Sequence, residues 1–306
     1  MRVVVIGANG QVGTELCRVF ADADLVPLTH ADLEVRDRDQ VVKSLARLRP
    51  DLILNTAAFH KVDVCEEEVG TSFAVNASGA QHVALAAAEA GAALVYFSTD
   101  YVFDGNARHP YREADPPSPR SVYGVSKLAG EFLVRAACPR HYIVRTSGLY
   151  GHAGASGKGG NFVELMLRLA CEGKPVRVVT DQVLTPTAVT DLALSVRALV
   201  TTGRYGLYHV TNAESCSWFE FARAIFELSG LVPELQPTTT AAFGARAPRP
   251  AYSVLAHEAL RAAGLPDLRP WREALAGYLR ERDARQGTGD RSPQSAQRTQ
   301  SQGRDR

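Results

Sequence analysis

Short apolar runs alternate with stretches of helical spacing from the first residues of the chain. RVVVIG is a β-branched run ending on Gly7, and helical spacing follows from Gln11 to Phe20. LVPLT reads as a second strand and the Asp39–Arg47 region as a helix. DLILNTA is a third strand, followed by an alanine-rich helix over 74–90, and AALVYFSTD is a fourth. SVYGVSKLAGEFLVRAA is a helix without internal proline, and HYIVRTS is a fifth strand. Strands that are apolar throughout, rather than alternating, belong to a parallel sheet covered on both faces. The pattern predicts an α/β fold, a Rossmann-type doubly wound parallel sheet over residues 1–147.

After Tyr150 the rhythm changes. The glycine-rich GHAGASGKGG precedes a helix, FVELMLRLACEG, and then PVRVVTDQ reads as a strand and VTDLALSVRALV as a helix. YHVTN is a further strand, and Ser217 with Glu220 three residues on forms a capping box opening another helix. The Pro-, Thr- and Ala-rich stretch 231–251 reads as irregular. Residues 148–282 are therefore expected to form mainly a small C-terminal substrate-binding lobe, with segments near 187–215 returning to the first domain. From Asp283 to Arg306 there is no aromatic residue, Leu, Ile or Val, so this tail is expected to be disordered.

Composition narrows the function classes. A net charge of +1 gives no reason to expect nucleic acid or a membrane surface as partner. Five scattered cysteines without a CxxC pair argue against a disulfide framework or zinc site, and they make a reducing cytoplasm the default. The opening apolar run is too short for a secretory leader, and no charge-free apolar stretch reaches ~20 residues. No ligand set for a metal can be picked out, and a homodimer is allowed without being specified.

Three glycines, Gly7, Gly10 and Gly13, stand between the first strand and the first helix in GANGQVG. In that context Gly7 permits the tight turn, Gly10 lets backbone approach a pyrophosphate, and Gly13 allows close helix–strand packing. The phosphates would meet the N–H groups and positive dipole end of the helix. The cofactor expected is NADPH or NADH. After the second strand, Thr29 and His30 occupy the place where an acid or an arginine would decide between them. Asp32 is either an adenosine contact or a turn cap.

Tyr123 and Lys127 lie four apart on the helix after the fourth strand, hence on one face, and Ser98, Thr99 and Asp100 end that strand. Hydride reduction of a ketone leaves a developing alkoxide that needs a proton. A tyrosine can supply it if a nearby ammonium lowers its pKa. Lys127 offers that charge and a hydrogen bond to the nicotinamide ribose, and Thr99 would hold the carbonyl oxygen.

GANGQVG, STDYVFDG and YGVSKLAGE resemble the extended short-chain dehydrogenase/reductases. More narrowly, NTAAFHKVD, Asn76 of FAVNASGAQHVA, RTSGLYG, GGNFVELMLRLA, DQVLTPT and RPAYSVL resemble the dTDP-4-dehydrorhamnose reductase family, in its order, over about Met1 to Leu279. The resemblance implies catalytic roles for Thr99, Tyr123 and Lys127. It implies that Gly7, Asn9, Gly10, Gln11, Val12, Gly13, Asp32, Leu33, Ala57, Ala58, Phe59 and His60 serve the cofactor, and that Thr99, Asp100 and Gly148 face a nucleotide-sugar substrate. Ala256, where an aspartate often follows the leucine, departs from the family pattern without bearing on substrate, and two further departures do bear on it. Gly148 replaces a tryptophan, removing ~150–250 Å² of contact and an N–H donor, and His60 stands where a small hydroxyl residue is common. Lys61, Arg145 and Arg249 are candidate diphosphate contacts or sheet-end cations, and Glu66–Glu68 reads as a solvated helix start.

Reduction of a 4-keto nucleotide sugar, most simply dTDP-4-dehydro-β-L-rhamnose, is the leading expectation. A nucleotide-sugar epimerase or dehydratase with recycled NAD is the enzymatic alternative, though no glutamate follows Asp100 as in the dehydratases. The segment AAFHKVDVCEE also resembles the regulatory subunit of methionine adenosyltransferase, an NADP-binding protein rather than a catalyst; the full Thr/Tyr/Lys set speaks against that reading.

Overall fold

A computed structural model of the chain describes residues 1–153 and 160–289. β1 (Arg2–Ile6) leads to α1 (Gln11–Val19), β2 (Asp24–Leu28) to α2 (Arg38–Leu48), and β3 (Leu52–Asn55) to the short α3 (Val62–Glu67) and α4 (Val69–Phe73). A π-helical turn (Ala74–Gly79) enters α5 (Ala80–Glu89). β4 (Ala93–Thr99) ends in a 3₁₀ turn (Asp100–Val102); α6 (Val122–Ala137) and β5 (His141–Thr146) follow. The single helix expected over 74–90 thus begins with a wide π turn, a form frequent at functional sites. There the buried Asn76 side chain turns inward to hydrogen-bond a neighbouring loop.

The second half comprises β6 (Leu149–Tyr150), α7 (Phe162–Cys171), β7 (Val176–Val179), β8 (Val183–Leu184), β9 (Thr187–Ala188), α8 (Val189–Thr201), β10 (Gly206–His209) and β11 (Cys216–Ser217). α9 (Trp218–Leu228), β12 (Leu235–Thr238), α10 (Thr240–Phe243), α11 (Glu258–Ala262) and α12 (Trp271–Gly289) complete it. The capping box at Ser217 forms as expected, and Asp37 and Ser121 cap α2 and α6 through their side chains. β12 and α10 fall inside the stretch expected to be irregular. Pairing with β7 orders it, a tertiary effect that local composition does not carry. α12 runs on through Gly289, past Asp283 where composition predicts the onset of disorder; residues 290–306 lie outside the described part.

The main sheet is parallel with order β2-β1-β3-β4-β5-β10. Alternate residues of β1 feed two cores. Val3 and Val5 meet Leu16 of α1 and Leu192 and Val196 of α8, while Val4 and Ile6 meet Val41 of α2 and Val83 of α5. Each such side chain, fully buried, stabilises by about 1.5–3 kcal/mol, so both faces must be covered and every position in the strand is apolar. A third core, around Val163, Phe221, Ile225, Trp271 and Leu275, belongs to α7, α9 and α12. The chain passes from β1 to β2 on one side and returns to β3 on the other. That reversal opens a crevice at the carboxyl ends of β1 and β3, where open α/β sheets bind ligands.

Candidate active site

A cleft of about 1000 Å³ lies over that crevice. Its near wall is the turn after β1. Gly7 has φ +80°, a left-handed conformation natural to glycine, and an added Cβ would strike the Thr56 hydroxyl. Thr56 in turn donates its hydroxyl to the Ile6 carbonyl at 2.8 Å, tying the ends of β1 and β3 together. A Cβ on Gly13 would collide with the Gly7 carbonyl, so this glycine packs the helix on the turn and does not line the cleft. Asn9, Gly10, Gln11 and Val12 do line it, leading onto the first turn of α1.

The loop after β3 supplies the opposite lip through Ala57, Ala58, Phe59 and His60. Asn76 clamps it. Its Oδ1 accepts the Phe59 N–H and its Nδ2 donates to the Phe59 carbonyl, each at 2.9 Å, while Nδ2 also reaches Ser126 of α6 at 3.0 Å. At the far end stand Leu33, Glu34, Val35 and Arg36. Arg36 bonds Glu34 at 2.6 Å and holds its carboxyl well below the usual range, at about 2. Asp32 is absent from the lining; it accepts the backbone N–H and hydroxyl of Thr29, which makes it a turn cap. The acid and arginine of this region thus lie beyond Thr29 and His30, on an extended segment without periodicity to mark them.

This half of the cleft suits a dinucleotide. A glycine turn and a helix N-terminus await phosphates, Leu33 and Val35 offer an apolar wall, and two buried polar atoms, Gln11 Oε1 and Thr146 Oγ1, have no hydrogen-bond partner among the described residues.

At the inner end the cleft meets β4 and α6. Thr99 Oγ1 donates to Asp100 Oδ1 at 3.0 Å and accepts the Tyr101 N–H at 3.2 Å, and Tyr123 lines the cleft with it. Asp100 is buried and accepts Ser147 Oγ at 2.8 Å; burial pushes its carboxyl up. Lys127 is 2% exposed, with Nζ 4.1 Å from the centre of the Tyr96 ring, and burial brings its pKa down to about 7. Burial also pushes the Tyr123 phenol up. The lowering expected from Lys127 is not found: Lys127 is not among the groups that act on the phenol, and desolvation of the phenolate dominates.

Two of the cations suggested by the sequence, Arg145 and Arg249, are engaged elsewhere, and Lys61 does not line the cleft. Arg145 is buried in an ion pair with Glu131, and Arg249 pairs with Asp63 at 2.7 Å. Glu66, expected to be solvated, accepts the Val122 N–H at 2.8 Å where α6 begins. The cation that does line the lobe side is Arg168 of α7, beside Phe162 and Trp218, whose rings stand 4.6 Å apart. Helical spacing from Asn161 through Leu165 to Arg168 carries that face, but nothing in sequence says which face of α7 meets the cleft. Gly148 has φ +56°, and a Cβ there would meet Leu184 Cδ1 and Pro186. Gly148 lines the cleft, where the backbone of Thr185 and Pro186 and one methyl of Leu184 crowd the position of its missing Cβ.

No group of three or more His, Cys, Asp or Glu among the described residues could hold a metal ion, and no helix there is long and apolar enough to cross a membrane.

Comparison with known proteins places this geometry. Residues 1–283 match the family described as RmlD substrate binding domain. The spore coat polysaccharide biosynthesis protein SpsK of Bacillus subtilis is 45% identical over 285 residues, 92% of this chain and 98% of that protein. The dTDP-4-dehydrorhamnose reductase of Streptomyces griseus is 41% identical, covering 90% of this chain and 91% of its own length. The crystal structure of dTDP-4-dehydrorhamnose reductase from Bacillus anthracis in complex with NADP superposes with a TM-score of 0.88 at 41% identity, over 92% of this chain and 99% of that one. With a relationship that spans both the Rossmann sheet and the lobe, the chain belongs to the dTDP-4-dehydrorhamnose reductase family.

Proposed function

We propose that this oxidoreductase reduces the 4-keto group of a nucleotide sugar, with dTDP-4-dehydro-β-L-rhamnose the foremost substrate and dTDP-β-L-rhamnose the product. The observation that carries the reading is that Thr99, Tyr123 and Lys127 line one cleft together with the glycine turn. Bound there, NADPH or NADH supplies the hydride. Gly7, Asn9, Gly10, Gln11 and Val12 hold its pyrophosphate side, and the loop fixed by Asn76 covers it.

The protein's own part is orientation and proton delivery. Thr99 and Tyr123 bracket the carbonyl oxygen, so charge developing on it meets the Tyr123 phenol, and Thr99 once its hydroxyl turns from Asp100. Tyr123 then gives that oxygen its proton. Its raised pKa keeps the phenol protonated before reaction, and Lys127, four residues on along α6, is the group whose ammonium would favour the phenolate left behind. Asp100, held by Ser147 and Thr99, is placed to receive sugar hydroxyls.

The experiment is direct: NADPH oxidation followed at fixed enzyme with dTDP-4-dehydrorhamnose added. Oxidation that depends on the sugar is expected. Binding of NADPH without oxidation in the presence of that sugar would overturn the assignment.

A further inference from the structure

We propose that Glu131 is a positioning residue that sets the charge of Lys127 from behind, and that Arg145 and Ser98 hold its carboxylate in place for that purpose. Tyr123, Lys127 and Glu131 follow one another at four-residue intervals on α6, which stacks them along one face. The first two line the cleft; Glu131 does not, and it is 3% exposed. Its carboxylate is fully engaged. Oε1 accepts Ser98 Oγ at 2.5 Å and Arg145 Nε at 2.9 Å, and Oε2 accepts Arg145 Nη2 at 2.7 Å. Gly130 makes the fit possible, since a Cβ there would strike the Asn76 carbonyl and the Tyr96 hydroxyl.

A buried ion pair is a poor stabiliser compared with apolar side chains of the same volume. Stability alone therefore does not account for this one. The neighbouring cation does. Lys127 is buried against an aromatic face, where loss of water favours the neutral amine, and the Glu131 carboxylate is the group that opposes it.

Other ionisable groups on the packed elements do not supply that charge. Tyr96 of β4 is a phenol that burial keeps neutral. Asp100 is engaged with Thr99 and Ser147, Glu66 of α3 with the Val122 N–H, and Cys65 with the Phe59 carbonyl. His82 of α5 is turned to the Val35 carbonyl, and Arg145 of β5 is cationic itself.

The inference rests on the reading above, in which the Lys127 ammonium meets the nicotinamide ribose, but its test needs no sugar. NADPH affinity is measured by fluorescence across pH for wild type, Glu131→Gln and Arg145→Gln. Wild-type affinity is expected to weaken as Lys127 deprotonates, and Glu131→Gln to move that midpoint about one pH unit lower. Arg145→Gln breaks the same ion pair but leaves the carboxylate, so its midpoint stays or rises. If Glu131→Gln does not fold with Arg145 left unpaired, the double variant Glu131→Gln/Arg145→Gln carries the same expectation of a lowered midpoint. An unmoved midpoint without Glu131, or equal downward shifts in both single variants, would overturn the proposal. Failure of wild type to bind NADPH at all would instead strike the cofactor reading.

Discussion

A Cβ placed on Gly148 would stand 2.8 Å from Leu184 Cδ1 and 3.0 Å from the Pro186 backbone. Glycine here is a packing requirement of the β5–β6 bend against the lobe. Gly148→Trp should therefore lose stability, by about 1–2 kcal/mol for the left-handed backbone and about 1–3 kcal/mol more for overpacking. Thermal unfolding of the purified variant checks this. An unchanged Tm together with tighter sugar binding would show that an indole can be housed.

Tyr123→Phe removes the proposed proton donor and keeps the ring, including its edge-on contact with Tyr101 at 5.9 Å. Turnover should fall by about 10²–10⁴-fold, with NADPH affinity within about twofold. Steady-state kinetics and cofactor titration read both quantities. Turnover near wild type would remove Tyr123 from the mechanism.

Lys127 makes stability depend on pH in a direction opposite to that of a lysine in an ordinary salt bridge, whose pKa is raised on folding. Its pKa in the folded protein is about 7, against an ordinary lysine value of 10.5. Between those pH values the unfolded chain binds the extra proton, so stability rises with pH through that window. Below it the charge is buried in the folded state and the cost is carried in full. Lys127→Met should therefore gain stability over wild type, most at pH 6 and progressively less toward pH 10. The gain is bounded by about 1.4 kcal/mol for each pH unit that separates the folded and unfolded pKa. Urea denaturation at several pH values tests the sign; a gain that grows with pH would contradict it.

Asn76→Ala strips the Phe59 peptide of two hydrogen bonds and Ser126 of one. Buried groups left without partners cost about 1–3 kcal/mol. We expect a lower Tm and weaker NADPH binding, because the loop carrying Ala57–His60 loses its clamp. Asn76→Asp, which keeps the acceptor for the Phe59 N–H, should recover part of the loss in both measurements.

The Rossmann half was legible because the interiors of its central strands are apolar on both faces and its glycines and capping residues sit at turns that require them. Thr99, Tyr123 and Lys127 could be picked out because a strand end and a four-residue helical spacing bring them to one edge. Other features depended on distant parts of the chain. Asp32 turned inward on Thr29, and Glu34 and Arg36 took the cleft position on a segment with no period to announce them. Arg145 looked like any sheet-end cation until α6 placed Glu131 against it. Gly148 could be judged only with Leu184 and Pro186 in place, which come from the lobe rather than from neighbours in sequence.

In the function proposed, hydride and proton meet at the 4-keto carbon and its oxygen in the cleft between Thr99, Tyr123 and Lys127. Reduction of dTDP-4-dehydrorhamnose with NADPH carrying deuterium at the transferred position, read by mass spectrometry and NMR of the sugar, tests it most directly. One deuterium at C4 of the product sugar for each NADPH oxidised, with that label lost in Tyr123→Phe for want of turnover, is the predicted result. NADPH bound and the sugar recovered unreduced, or deuterium at any other carbon, would contradict the account.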